Sequence, residues 1–105
     1  MGNTRVSGAV GSWIDQALKN KGVGAEHKPY IAWIIDKESS GNPTAQNPKS
    51  TAYGLLQFLD KTWGNYGYQK TSDPVKQVEA GIDYMFKRYG SPQKAFEFWQ
   101  KKGWY

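Results

Sequence analysis

Val75, Val78, Ile82, Met85, Phe86 and Tyr89 fall at helical spacing between Asp73-Pro74 and Gly90, and this pattern confines the chain to a helical architecture. The flanks explain why the helix starts and stops there. An aspartate accepts from the free N–H groups of a first turn, and a proline at the first position has no N–H to leave unpaired. A glycine then takes the left-handed conformation that ends the helix. The same arrangement recurs at Ser91-Pro92, predicting a last helix that carries Ala95, Phe96 and Trp99 and ends at Gly103. Upstream, Ser12 is expected to cap a first helix with Trp13, Ile14, Ala17 and Leu18 on one face, stopped by Gly22-Val23-Gly24. A second helix opens near Pro29 and runs to about Ser39. Residues 1–11, rich in Gly, Ser and Asn, read as a linker or flexible arm, leaving 12–105 as one mainly α domain. That length suffices for a single core.

The helical pattern lapses in the middle. From Gly41 to Phe58 the chain is punctuated by Gly41-Asn42-Pro43, Asn47-Pro48 and Tyr53-Gly54. The stretch Tyr53-Gly54-Leu55-Leu56-Gln57-Phe58 is too short and glycine-broken to assign, either a brief strand or an irregular turn. Asp60 is expected to cap a short helical turn carrying Trp63, with 64–68 as loop. Excursions of this kind inside small helical domains are functional or disordered. This one holds too many apolar side chains for disorder.

Composition narrows the chemistry. The chain has no cysteine and one histidine, His27, read as a loop residue without a role. Disulfides, Cys-metal sites, His clusters and a Ser-His-Asp triad are therefore excluded, no cofactor is expected, and catalysis would rest on carboxylates. The net charge of +5, from 14 basic and 9 acidic residues, suits an anionic partner. The lysines are scattered, however, and no nucleic-acid motif accompanies them. The longest apolar run, Ile31-Ala32-Trp33-Ile34-Ile35, is far too short to span a bilayer. The first residues lead into no signal-peptide region, which points to an intracellular protein or, the preferred reading, a monomeric domain of a larger one.

Among the carboxylates, Glu38 stands out. It completes the stripe Ile31, Ile34, Ile35, Glu38 on one helix face, near the helix's C-terminal end. Apolar surroundings and the negative pole of the helix dipole both disfavour its charged form, raising the pKa as a general acid near neutral pH requires. Taken alone, such a residue is ordinarily a boundary group reaching for water. The excursion that follows can fold over it with aromatic and amide side chains, the furniture of a sugar-binding cleft.

Glu38-Ser39-Ser40-Gly41-Asn42-Pro43, then Ala52-Tyr53-Gly54-Leu55-Leu56-Gln57-Phe58 and Thr62-Trp63, resemble the lytic transglycosylase family in both order and spacing. The ending Gly103-Trp104-Tyr105 resembles small members from secreted and phage tail proteins of Gram-positive systems. The resemblance implies a lysozyme-like fold over residues 12–105 and cleavage of peptidoglycan glycan strands. It implies Glu38 as the catalytic acid and Ser39 as a neighbour that helps hold glutamate or sugar. Gly54, Leu55 and Gln57 match the Gly-Leu-x-Gln motif, whose glutamine contacts glycan, and Tyr53 is expected half-exposed beside it. The family's late Ala-Tyr-Asn-Ala-Gly stretch is replaced by Glu97-Phe98-Trp99-Gln100-Lys101. Trp99 then fills the tyrosine place and Gln100 the asparagine place. Because Trp99 lacks the hydroxyl, Glu38 is expected to be oriented by another group, with Tyr53 as the candidate.

Two-carboxylate glycosidases need a second acid. Asp36 lies on another face of the same helix, Asp60 and Asp73 read as caps, and Glu79 and Asp83 as a solvated stripe. Glu97 is the one late candidate near the cleft. The resemblance removes the need, because the muramyl acetamido group can stabilise the developing cation. It implies an extracellular or wall-associated setting, including a phage virion tail. A hydrolytic muramidase and a non-catalytic glycan-binding module are the alternatives.

Overall fold

The computed structural model describes residues 8–105; the first seven residues of the expected arm lie outside the described residues. The helices run in the order α1 (Gly8–Lys21), α2 (Lys28–Ser39), α3 (Asp60–Asn65), α4 (Pro74–Tyr89) and α5 (Pro92–Lys102), with a 3-10 turn at Ala25–His27 before α2. The domain is mainly α, in keeping with the lysozyme-like expectation. α4 packs against α1 and α5, and α2 bridges the same two helices from another side. Ile14, Ala17 and Leu18 of α1, Ile31, Ile34 and Ile35 of α2, and Val78, Ile82 and Met85 of α4 share one core with Leu55, Leu56, Phe58 and Trp63.

The helix ends in the second half follow the local chemistry. Asp73 Oδ1 accepts from Val75 N at 3.0 Å and Lys76 N at 3.3 Å, and Ser91 Oγ from Lys94 N at 3.2 Å. Gly90 and Gly103 close α4 and α5 with φ of 96° and 80°.

Two local expectations need correction. Among the described residues α1 already covers Gly8 to Gly11, so Ser12 lies inside the helix and does not cap it. The reason is tertiary: Val10 is buried, close against Gly41, a contact invisible to local composition. Asp60 is not a cap either. Extended Leu59 takes that position, while Asp60 stands in the first turn of α3 and pairs with Lys70 at 3.0 Å.

The excursion between α2 and α3 is an irregular, heavily cross-braced loop. Tyr53 forms isolated antiparallel bridges with Gln46 and Phe58, around a turn whose Gly54 and Gln57 have φ of 87° and 55°. Beneath it lies Gln77 of α4, only 1% exposed. Its Oε1 accepts from Leu55 N at 2.9 Å, and its Nε2 donates to Pro43 O at 2.8 Å and Thr71 O at 2.7 Å. One buried amide thus ties three separate loop strands to a core helix. Gly54 is required there, since a Cβ would stand 2.8 Å from the Gln77 amide at a φ that L side chains rarely adopt.

Candidate active site

Glu38 occupies the last turn of α2, where Ser40 takes a left-handed conformation and returns its N–H to Asp36 O. The stripe buries Ile31, Ile34 and Ile35 completely, whereas Glu38 at its end is half-buried. Burial pushes the Glu38 carboxyl above its usual value, and a hydrogen bond from Trp99 draws it partly back. That bond runs from Trp99 Nε1 to Glu38 Oε2 at 2.7 Å, across from α5. It corrects the expectation that the tryptophan leaves Glu38 without an orienting donor. An indole N–H donates as a phenol does but has no lone pair to offer, so it fixes one carboxylate oxygen. Oε1 has no hydrogen-bond partner among the described residues and is where a transferable proton can sit. Tyr53, the alternative candidate, is half-buried with Lys70 Nζ 5.1 Å from its ring centroid, and its hydroxyl makes no hydrogen bond to Glu38.

Trp99 is itself held. Its ring meets Trp33 of α2 edge-on at 5.1 Å, and Trp33 meets Phe96 of α5 at 4.9 Å. The aromatic seam between α2 and α5 therefore sets the direction of the donor that reaches Glu38.

The motif around Gly54 is held through its backbone and the Gln57 amide. Leu55 is buried in the core, with its N–H taken by Gln77. Gln57 Nε2 donates to Ala45 O and Gly54 O, both at 2.9 Å. Because both partners are carbonyls, the nitrogen must face them, and Oε1 is left to accept from a ligand. Ser39 Oγ donates to Ile35 O and accepts from Gly41 N, both at 3.2 Å, so its hydroxyl closes the end of α2. Gln100 is exposed on α5, one residue past Trp99.

Glu79, Asp83 and Glu97 each have another partner. Glu79 accepts from Asn20 Nδ2 at 2.8 Å, and Asp83 pairs with Lys21 at 3.0 Å while accepting from Tyr68 at 2.8 Å, so this expected solvated stripe is an α1–α4 seam. Glu97 is exposed and accepts from Gln93 at 3.3 Å. Among the described residues no group of three or more His, Asp or Glu could hold a metal ion. No helix among them is long and apolar enough to cross a membrane.

Gln77 was absent from the expected site. Its signal was a polar residue one position from Val78 and four before Gly81, on a helix face small enough for a loop to approach. Leu56 does pack against Gly81 there.

Residues 12–100 match the family model of the transglycosylase SLT domain. The chain belongs to this family and is a lytic transglycosylase domain. It is 35% identical over 97 residues to the probable transglycosylase IsaA of Staphylococcus haemolyticus (strain JCSC1435), covering 90% of this chain and 35% of the relative. The IsaA of Staphylococcus xylosus is 35% identical over 72 residues, covering 69% of this chain and 26% of that protein. An uncharacterized protein, YqbO of Bacillus subtilis (strain 168), is 30% identical over 96 residues, 82% of this chain and 6% of its own. The SLT domain here thus spans about a third or less of the curated relatives it matches. No solved structure matches it.

Proposed function

We propose that this SLT domain cleaves the β-1,4 bond between N-acetylmuramic acid and N-acetylglucosamine in peptidoglycan, with Glu38 acting first as acid and then as base. The observation that carries the reading is the solitude of Glu38: a half-buried carboxyl, fixed through Oε2 by Trp99, with every candidate second carboxylate engaged elsewhere or lying on another helix face.

Protonated Glu38 gives its proton to the glycosidic oxygen as the bond to the muramyl C1 breaks. The muramyl acetamido oxygen bonds to C1 and carries the positive charge, the substrate-assisted alternative to a second enzyme carboxylate. Glu38, now a carboxylate, takes the proton from the muramyl C6 hydroxyl, whose oxygen displaces the acetamido oxygen at C1. A 1,6-anhydro-muramyl end results and no water is consumed. Gln57 Oε1 serves as an acceptor toward sugar hydroxyl or acetamido N–H groups. Tyr53, Trp99 and Gln100 border the glycan, while Ser39, Gly54 and Leu55 act by shaping the backbone around it.

Mass spectrometry of a purified wall digest tests this directly. Anhydro-muramyl ends are expected; reducing muramyl ends would assign hydrolysis, and bound but intact glycan would assign a binding module. Glu38→Gln is expected to lower the rate by at least about a hundredfold, the usual contribution of a general acid. The proposal extends to a monomeric domain working at the cell wall as part of a longer protein, including one carried on a phage tail.

A further inference from the structure

The segment after α5 reverses at Gly103, whose N–H returns to Trp99 O at 2.7 Å. The reversal leaves Trp104 exposed and brings Tyr105 back to the turn that carries Gln57. There the Tyr105 hydroxyl donates to Leu56 O at 3.1 Å. Its ring stacks on Tyr89 at 6.3 Å and 13° and meets Tyr84 edge-on at 5.2 Å, both residues of α4. Tyr84 in turn touches Phe58 at 5.0 Å, on the far side of the same turn.

Gln77 grips this turn from beneath through Leu55 N, and Tyr105 grips it from outside through the next residue's carbonyl. We propose that Tyr105 is a positioning residue for the reaction, strapping the Leu56–Gln57 turn to α4 and so holding Gln57 in place. The proposal rests on the reading of Glu38 as the catalytic acid. The donor to Glu38 and the strap on the Leu56–Gln57 turn thus come from one stretch of chain, Trp99 to Tyr105.

The strap stays a donor throughout the working range. Burial, the charge of Glu38 and the neighbouring Tyr84 and Tyr89 all hold the Tyr105 phenol well above its usual value. The groups that bear on this corner are Trp99 from α5 on Glu38, and Glu38 from α2 with Tyr84 and Tyr89 from α4 on Tyr105. Arg88 lies 5.8 Å from the Tyr84 ring centroid and 5.6 Å from that of Tyr89.

Two variants separate positioning from mere stability. Tyr105→Phe keeps the ring and removes the bond to Leu56 O; kcat/KM on soluble glycan strands should fall about three- to tenfold, in line with one lost hydrogen bond. The alkaline limb of its pH profile should stay in place. Tyr105→Ala also removes the ring packed on Tyr84 and Tyr89, so its fall should be larger and carried by KM, with the limb still in place. Parent kcat/KM in the phenylalanine variant, or parent KM in a folded alanine variant, overturns the proposal. If the alanine variant does not fold, the phenylalanine variant decides alone. Glu38→Gln in parallel keeps the two readings apart: if it is active the catalytic reading fails, and if it is dead while Tyr105→Phe matches the parent only the strap fails.

Discussion

At the scale of single residues, two opposed influences meet on one carboxyl. Burial raises the pKa of Glu38 and the Trp99 N–H lowers it. Replacing Trp99 by Phe deletes the lowering influence and keeps an aromatic ring. The pKa should rise further, and with Glu38 as the proposed acid the alkaline limb of kcat/KM should move to higher pH. The rate at the optimum should fall about three- to tenfold as Oε2 loses its anchor. A pH–rate profile of the variant measures both, and a limb displaced downward would contradict the assigned sign. The same burial has a thermodynamic consequence. Because the folded-state pKa lies above the unfolded one, the native state binds more protons in between, and the contribution of Glu38 to stability is lost as pH rises through the folded value. Glu38→Gln should therefore melt at a higher temperature than the parent at about pH 7 and at the same temperature below about pH 4. An unchanged melting temperature at neutral pH would mean that Glu38 carries no burial penalty.

Elements are where the loop earns its shape, and Gln77 is the joint. Gln77→Leu fills similar space but strands Leu55 N, Pro43 O and Thr71 O, all of which now bond to it. Unsatisfied buried groups cost about 1–3 kcal/mol each, so a loss of roughly 3 kcal/mol or more is expected in urea denaturation. Activity should fall further than helix content, because α4 keeps its own hydrogen bonds while the loop loses its hold. Gln77 also marks the boundary of what the sequence discloses. The limits of α4 and the starts of α2 and α5 were legible because their caps, prolines and glycines act within a few residues of themselves. The burial of Glu38 was legible from its stripe. The start of α1 was not, since Gly8-Ala9-Val10-Gly11 looks like linker until Val10 finds Gly41 more than thirty residues on. Nor was the donor to Glu38: the family resemblance implies a hydroxyl, whereas the structure uses the ring nitrogen of Trp99, placed by the packing of α5 on α2.

Across the whole molecule, the net charge of +5 has an unusual distribution that explains why the lysines looked scattered. Lys19 and Lys21, Lys37, Lys87 and Arg88, and Lys101 and Lys102 occupy the last turns of α1, α2, α4 and α5. Each sits where the negative pole of a helix favours a cation, so local helix stability spreads the charge over several corners of a body 31 × 28 × 26 Å across. Such an arrangement attracts an anionic polymer as a field, without a single strong contact. Raising salt from about 20 mM to about 500 mM shortens the screening length to a few ångströms and should weaken binding to isolated anionic walls several-fold. Cleavage of a short uncharged glycan should change far less, because the chemistry proposed at Glu38 depends on neighbours in direct contact. Replacing Lys19, Lys87 or Lys101 singly by Ala should alter wall binding by less than about twofold, as exposed charges contribute little one at a time. A sedimentation assay with each variant checks the point. One substitution that abolished binding would show a localised anion site, and the charge would then belong to recognition instead of to the ends of the helices.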